Sequence, residues 1–272
     1  MQNALPRALL SLAVFVGWAL ITVFLSRLWA HVGGTQALDA AVSDRLLLNL
    51  PVAIAFLVAA IVIFRWRDVG LNAPQPGSLR LIWFPALYVV FFVGLGLVVG
   101  LPPLPVMLVI LGNTVMVGIS EELACRGILY QGLRSRFSVW PAILVSTLLF
   151  GAVHILNGIS TGDFLASSIQ AVTAFMTGIA FMAIRIRTRS IYPGIILHGL
   201  WDFTLVTTAV GLATRLASMP DAPGTPTSIG SLGALALAPF ALILPNFIYG
   251  LYLLRHVARD EAAAAVMPAE AG

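Results

Sequence analysis

The 272-residue sequence contains no lysine and a single cysteine, Cys125, and only 10% of its residues are charged. One cysteine makes no intrachain bridge, which excludes a secreted disulfide scaffold. A soluble domain carries about 25% charged residues, so this chain lacks the means to cover a water-facing surface. Its 60% hydrophobic content excludes a disordered chain. These absences leave a polytopic membrane protein.

The net charge of +4 comes from 15 basic residues, all arginine, against 11 acidic ones. The arginines sit at the ends of apolar runs, a pattern of membrane orientation and not of a nucleic-acid face. The lipid bilayer is therefore the expected environment, and no nucleic acid is expected as a partner. The apolar runs are Ala8–Leu25, Leu46–Phe64, Leu81–Gly100, Val106–Ile119, Val139–Leu156, Phe164–Ile184, Ile191–Leu212 and Ile229–Leu254. Hydrocarbon offers no partner to open backbone groups, so runs of this length predict helices. The expected fold class is all-α, a polytopic helical bundle of about eight transmembrane helices. The expected organisation is a single membrane domain over residues 1–259 and a flexible, alanine-rich tail over 260–272.

The first run is longer than a signal-peptide core and no small-x-small cleavage site follows, so it reads as a retained span. With the N-terminus inside, Arg7, Arg65, Arg67, Arg80, Arg134, Arg136, Arg185, Arg187, Arg189, Arg255 and Arg259 lie inside. Arg27, Arg45 and Arg215 lie outside, and Arg126 is set apart as intramembrane. This bias places both termini in the cytoplasm, and an even number of spans agrees with it. The segment Met219–Thr227, rich in proline and glycine, reads as an extracytoplasmic turn. Gly96 and Gly100 form a G-x-x-x-G that is expected to mark a close helix contact.

Three spans carry polar residues that are costly in hydrocarbon. The fourth continues through Ser120-Glu121-Glu122-Leu123-Ala124-Cys125-Arg126, and its apolar continuation predicts one helix to Arg134. Glu122 and Arg126, four apart, share a face and can pair, while Glu121 is rotated by about 100°. In the fifth span His154 follows Phe150 by four. In the seventh His198 and Asp202 are four apart, and a carboxylate beside an imidazole fixes its tautomer. Each set has a structural reading as well: a solvated helix end, a hydrogen-bonded histidine, a polar clasp between helices. Together the residues form a kit for activating water, with a base for its proton and donors or a metal for the oxyanion. Depths along the helices match loosely, His154 least well. The zinc-protease signature H-E-x-x-H is absent, and so is G-x-S-x-G.

In order, E-E-x-x-x-R (Glu121 to Arg126), F-x-x-x-H (Phe150 to His154) and H-x-x-x-D (His198 to Asp202) resemble the motifs of the CAAX protease and bacteriocin-processing enzyme family, also called CPBP or Abi. The motif region covers residues 119–204. Each motif alone is weak, and three in order on expected spans are more specific. Eukaryotic CAAX enzymes carry asparagine where this chain has Asp202. The resemblance implies an intramembrane endopeptidase in which Glu121 and His154 activate the hydrolytic water. His198 and Asp202 would help to bind water, the scissile carbonyl or a metal, and Glu122 and Arg126 would support the site. Two mechanisms stay open. Glu121, His154 and His198 could ligate a divalent metal such as zinc with a fourth place for water, or Glu121 could act as a metal-free base. The implied partner is a peptide or protein substrate, with a lipidated C-terminus as the family's best-known target. A composition free of lysine and rich in alanine points to a bacterial cell membrane. Two other classes remain: a non-catalytic immunity or scaffold protein, and a proton-coupled transporter.

Overall fold

The computed structural model describes residues 4–25, 42–218 and 229–266. All of its regular elements are helical, and no strand occurs among the described residues. Helix α1 (Ala4–Leu20) ends in a π-helical turn, Ile21–Leu25. The others are α2 (Asn49–Ile63), α3 (Trp83–Val99), α4 (Leu104–Glu122), α5 (Val139–Val153), α6 (Phe164–Thr188), α7 (Tyr192–Ala217), α8 (Ile229–Leu254) and α9 (Val257–Val266). Short helical turns extend several of them: Ser78–Ile82 precedes α3, and His154–Leu156 with Asn157–Thr161 follows α5.

Among the described residues, seven helical stretches are long and apolar enough to cross a membrane. The second of the eight expected spans is the exception. Its helix, α2, has 15 residues, which at about 1.5 Å per residue falls short of the roughly 30 Å hydrocarbon core. The shortfall has a local cause at its start. Asn113 of α4 accepts from the Leu47 N–H and donates to the carbonyls of Val42 and Arg45. That amide holds residues 45–48, just before Asn49, outside the helix.

Termini follow local chemistry. Pro105 and Pro193 sit in the first turns of α4 and α7, where a missing N–H costs nothing. Gly100 closes α3 at φ +110°, a conformation that favours glycine. The G-x-x-x-G expectation has a counterpart here. A side chain at Gly96 would meet Thr208 of α7, and one at Gly211 of α7 would collide with the Gly100 carbonyl.

The arginine pattern has a spatial counterpart as well. Arg7 pairs with Asp68, Arg187 with Asp260 and Arg134 with Glu261, all at one end of the bundle. The same end is tied by Gln75 N–H to the Thr188 carbonyl and by Ile191 N–H to the Gly70 carbonyl. At the opposite end Arg215 donates to the Val98 carbonyl. Of the tail expected from Asp260, residues 260–266 are described. They are helical within α9, and Asp260 and Glu261 are held by the arginines just named. Residues 267–272 and the turn expected over Met219–Thr227 lie outside the described residues.

Small residues bring the central helices into contact. A Cβ on Gly118 of α4 would lie 2.8 Å from the Ile195 carbonyl and 3.0 Å from the Gly199 nitrogen of α7. On α8, a Cβ at Gly250 would lie 2.7 Å from Ala180 Cα of α6. Lipid supplies no hydrophobic drive between helices, so close backbone approach through glycine takes its place.

Candidate active site

Helix α4 does not end at Glu122. It continues through a π-helical stretch, Leu123–Leu129, and a last α-turn, Tyr130–Arg134, so the expected single rod to Arg134 is present with one wide segment inside it. All seven residues of that segment are buried. A π turn inserts an extra residue per turn and re-aims the side chains that follow, and such segments gather at functional sites. Here it carries Arg126. Ser120, one residue before the acidic pair, accepts a 2.7 Å hydrogen bond from the Trp18 indole, which pins α1 to this level of α4.

Glu122 and Arg126 are fully buried and paired, Arg126 Nη1 donating to Glu122 Oε1 at 3.0 Å. The same oxygen lies 3.0 Å from His198 Nδ1 of α7. A carboxylate oxygen accepts, so Nδ1 carries a proton and Nε2 is directed elsewhere. It faces Glu121 Oε2 and Asp202 Oδ2, each at 3.6 Å. These two distances are ion-pair separations, too long for hydrogen bonds. The imidazole thus stands among three carboxylates, with the buried pair behind it. Glu121 and Asp202 retain 19% and 28% side-chain exposure, against 8% for His198. The two carboxylates nearest Nε2 thus keep some exposure, while the Glu121 Oε2 that faces the ring is itself buried and without a hydrogen-bond partner.

Aromatic rings complete the surroundings. The Arg126 guanidinium lies over the Phe150 ring, 3.9 Å from its centroid. That face covers a cation whose Nε and Nη2 have no hydrogen-bond partner, a cation–π contact in a desolvated place. Phe181 of α6 stacks on His198 at 5.2 Å and 29°. Two glycines make the fit possible. A Cβ on Gly178 would lie 3.0 Å from Arg126 Nη2, and one on Gly194 would lie 2.8 Å from Glu122 Oε2.

Of the residues expected from sequence, Glu121, Glu122, Arg126, His198 and Asp202 come together. His154 stands apart from that cluster. Among the described residues no hydrogen bond or ion pair joins it to any of them. Its Nδ1 donates to the Phe150 carbonyl at 2.8 Å. One side chain links it to the site. The Phe150 ring meets His154 edge-on at 4.9 Å and His198 edge-on at 6.2 Å. Among the described residues no three His, Cys, Asp or Glu side chains gather as a metal site, so the set Glu121, His154 and His198 does not fit a metal ion in this arrangement. Phe181, Gly178 and Gly194 were not singled out in the sequence. No spacing rule marks them, because they meet the motif residues only across helices.

Residues 103–204 match the model of the family described as type II CAAX prenyl endopeptidase Rce1-like. The matched stretch contains all three motifs, so the resemblance read from them stands on a second footing, and it supports a CAAX-type intramembrane protease in general terms. No curated protein and no solved structure matches the chain.

Proposed function

We propose that this chain is an intramembrane endopeptidase of the CAAX-protease type, with the arginine-rich end and both termini on the cytoplasmic side of a bacterial cell membrane. The observation that carries the reading is that Glu121 and Asp202, both partly exposed, stand beside Nε2 of a histidine whose Nδ1 is held by the buried Glu122–Arg126 pair. Glu121 is the general base. It takes a proton from water as the oxygen attacks the scissile carbonyl carbon, and returns it to the departing amine. His198, fixed through Nδ1, turns Nε2 toward Glu121 and Asp202, where a protonated nitrogen donates to the developing oxyanion. Asp202 holds that proton on the ring. His154 acts on the site through Phe150, whose ring lies edge-on against both imidazoles. Glu122 and Arg126 orient His198 and do not touch substrate.

The substrate is a peptide presented at the membrane surface, with a lipidated C-terminus as the finer proposal. Purified protein in proteoliposomes is offered one peptide in farnesylated and unmodified forms, and products are read by mass spectrometry. Loss of a general base costs about 10²–10⁴ in rate, so Glu121→Gln is expected to cleave at least about a hundredfold more slowly while melting like wild type. Cleavage by Glu121→Gln at the wild-type rate overturns the assignment. Equal cleavage of both peptide forms removes the lipidated substrate and leaves the protease.

A further inference from the structure

A cavity of about 340 Å³ opens at the arginine-rich end, lined by none of the residues of the acidic cluster, between the turn that precedes α3 and the end of α6. Pro76, Gly77, Ser78, Arg80, Leu81 and Arg187 line it. Two of these six are cationic and none is acidic. Arg187 is partly engaged: Nε donates to the Leu253 carbonyl at 2.8 Å, and Nη1 to Asp260 Oδ2 at 2.6 Å. Arg80 is exposed, and among the described residues nothing occupies its guanidinium.

The rim of the cavity is apolar. Leu79 and Trp83, on either side of Arg80 and Leu81, are both more than half exposed, and Trp83 packs edge-on against Tyr249 of α8. Tryptophan and tyrosine settle where hydrocarbon meets headgroups. A basic hollow with apolar lips at that depth matches a molecule with an anionic head and hydrocarbon chains, and basic pockets between membrane helices on the cytoplasmic side take such headgroups.

We propose that this cavity binds a phosphate anion, presented by the headgroup of an anionic phospholipid. Arg80 supplies the free guanidinium, whose planar fork suits two phosphate oxygens. Arg187 supplies the second, and Asp260 is the internal carboxylate that the phosphate displaces. Binding therefore competes with one of the two ion pairs that hold α9, and it is independent of the proteolytic reading.

The test uses the full chain, purified and stripped of lipid in detergent. Phosphatidylglycerol and phosphatidylcholine are added separately, and retained lipid is counted by native mass spectrometry. Wild type is expected to retain phosphatidylglycerol several-fold over phosphatidylcholine. Arg80→Gln, at an exposed position, is expected to lose that preference without a change in melting temperature. Asp260→Asn is expected to raise phosphatidylglycerol retention by freeing Arg187. Inorganic phosphate is the second arm. If it displaces phosphatidylglycerol, the site reads the phosphate alone; if it does not, the acyl chains are part of the recognition. An unchanged preference in Arg80→Gln overturns the proposal, and so does equal retention of the two lipids by wild type.

Discussion

Helices α3 and α6 are both long and apolar, yet they sit in different solvents. Only 17% of the most apolar window of Ser78–Val99 is buried inside the protein, against 56% for Phe164–Thr188. α3 carries no charged residue. α6 carries serines, threonines, Gln170 and Gly178, and its Phe181 stacks on the catalytic histidine proposed above. Polar groups are affordable in a membrane only where other protein covers them. The helix that faces lipid therefore contributes span length, and the buried helices contribute chemistry. The same division runs within the site, where Glu122 and Arg126 are fully buried and Glu121 and Asp202 keep some exposure.

The comparison breaks first, and hardest, at Arg126. Arg126→Ala removes the guanidinium that neutralises a fully buried Glu122 and strips the cover from Phe150. Leaving one partner of a buried pair uncompensated costs about 3–5 kcal/mol, and thermal unfolding in detergent should show it as the largest single loss. Arg126→Lys is expected to recover only part, because an ammonium cannot both reach Glu122 and lie flat on the ring. A wild-type melting temperature for Arg126→Ala would mean that the buried network does not hold α4 against α7.

Glycine substitutions divide the two regions at a smaller scale. Gly194→Ala places a methyl 2.8 Å from Glu122 Oε2, and Gly118→Ala presses one onto the α7 backbone. Overpacking of this kind costs about 1–3 kcal/mol, and at Gly194 it should also slow cleavage by displacing the carboxylate that holds His198. Gly94→Ala, on α3, meets nothing within 4 Å. Alanine is the better helix former by about 1 kcal/mol, so this variant is expected to melt at or slightly above wild type. Equal losses at Gly94 and Gly118 would erase the distinction between lipid-facing and helix-facing glycine.

Much of this was legible in the sequence because it is local. Glu122 with Arg126 and His198 with Asp202 are neighbours by helical spacing, and seven of the eight expected spans follow from unbroken apolar runs. What escaped is non-local. The bond from His198 to Glu122 joins residues 76 apart, and no periodicity announces it. The π-helical stretch at Leu123–Leu129 is apolar but for Arg126, and nothing in its composition sets it apart from an α-helix. The pairing of Asp260 and Glu261 with arginines on other elements is equally non-local. His154 is expected at the site, and the hydrogen bond it makes among the described residues is to Phe150, four residues earlier.

The smallest expected effect lies on the outer face of α3. Val90 is 67% exposed, and Val90→Ala takes two methyl groups from a surface that a lipid chain refills, so no cavity forms. Hydrocarbon is as good a neighbour to the helix as another side chain, and the change in stability should stay within about 0.5 kcal/mol. On α6, Ile179 is 1% exposed and lies beside Gly250 of α8. There the gentler Ile179→Val should cost about 0.5–1.5 kcal/mol, because the surrounding helices close only partly over the gap. Unfolding both variants in the same detergent tests the division directly. Should Val90→Ala lose as much as Ile179→Val, the outer face of α3 is covered by protein in the membrane and not by lipid, and the contrast between the two helices would describe a single chain without its neighbour.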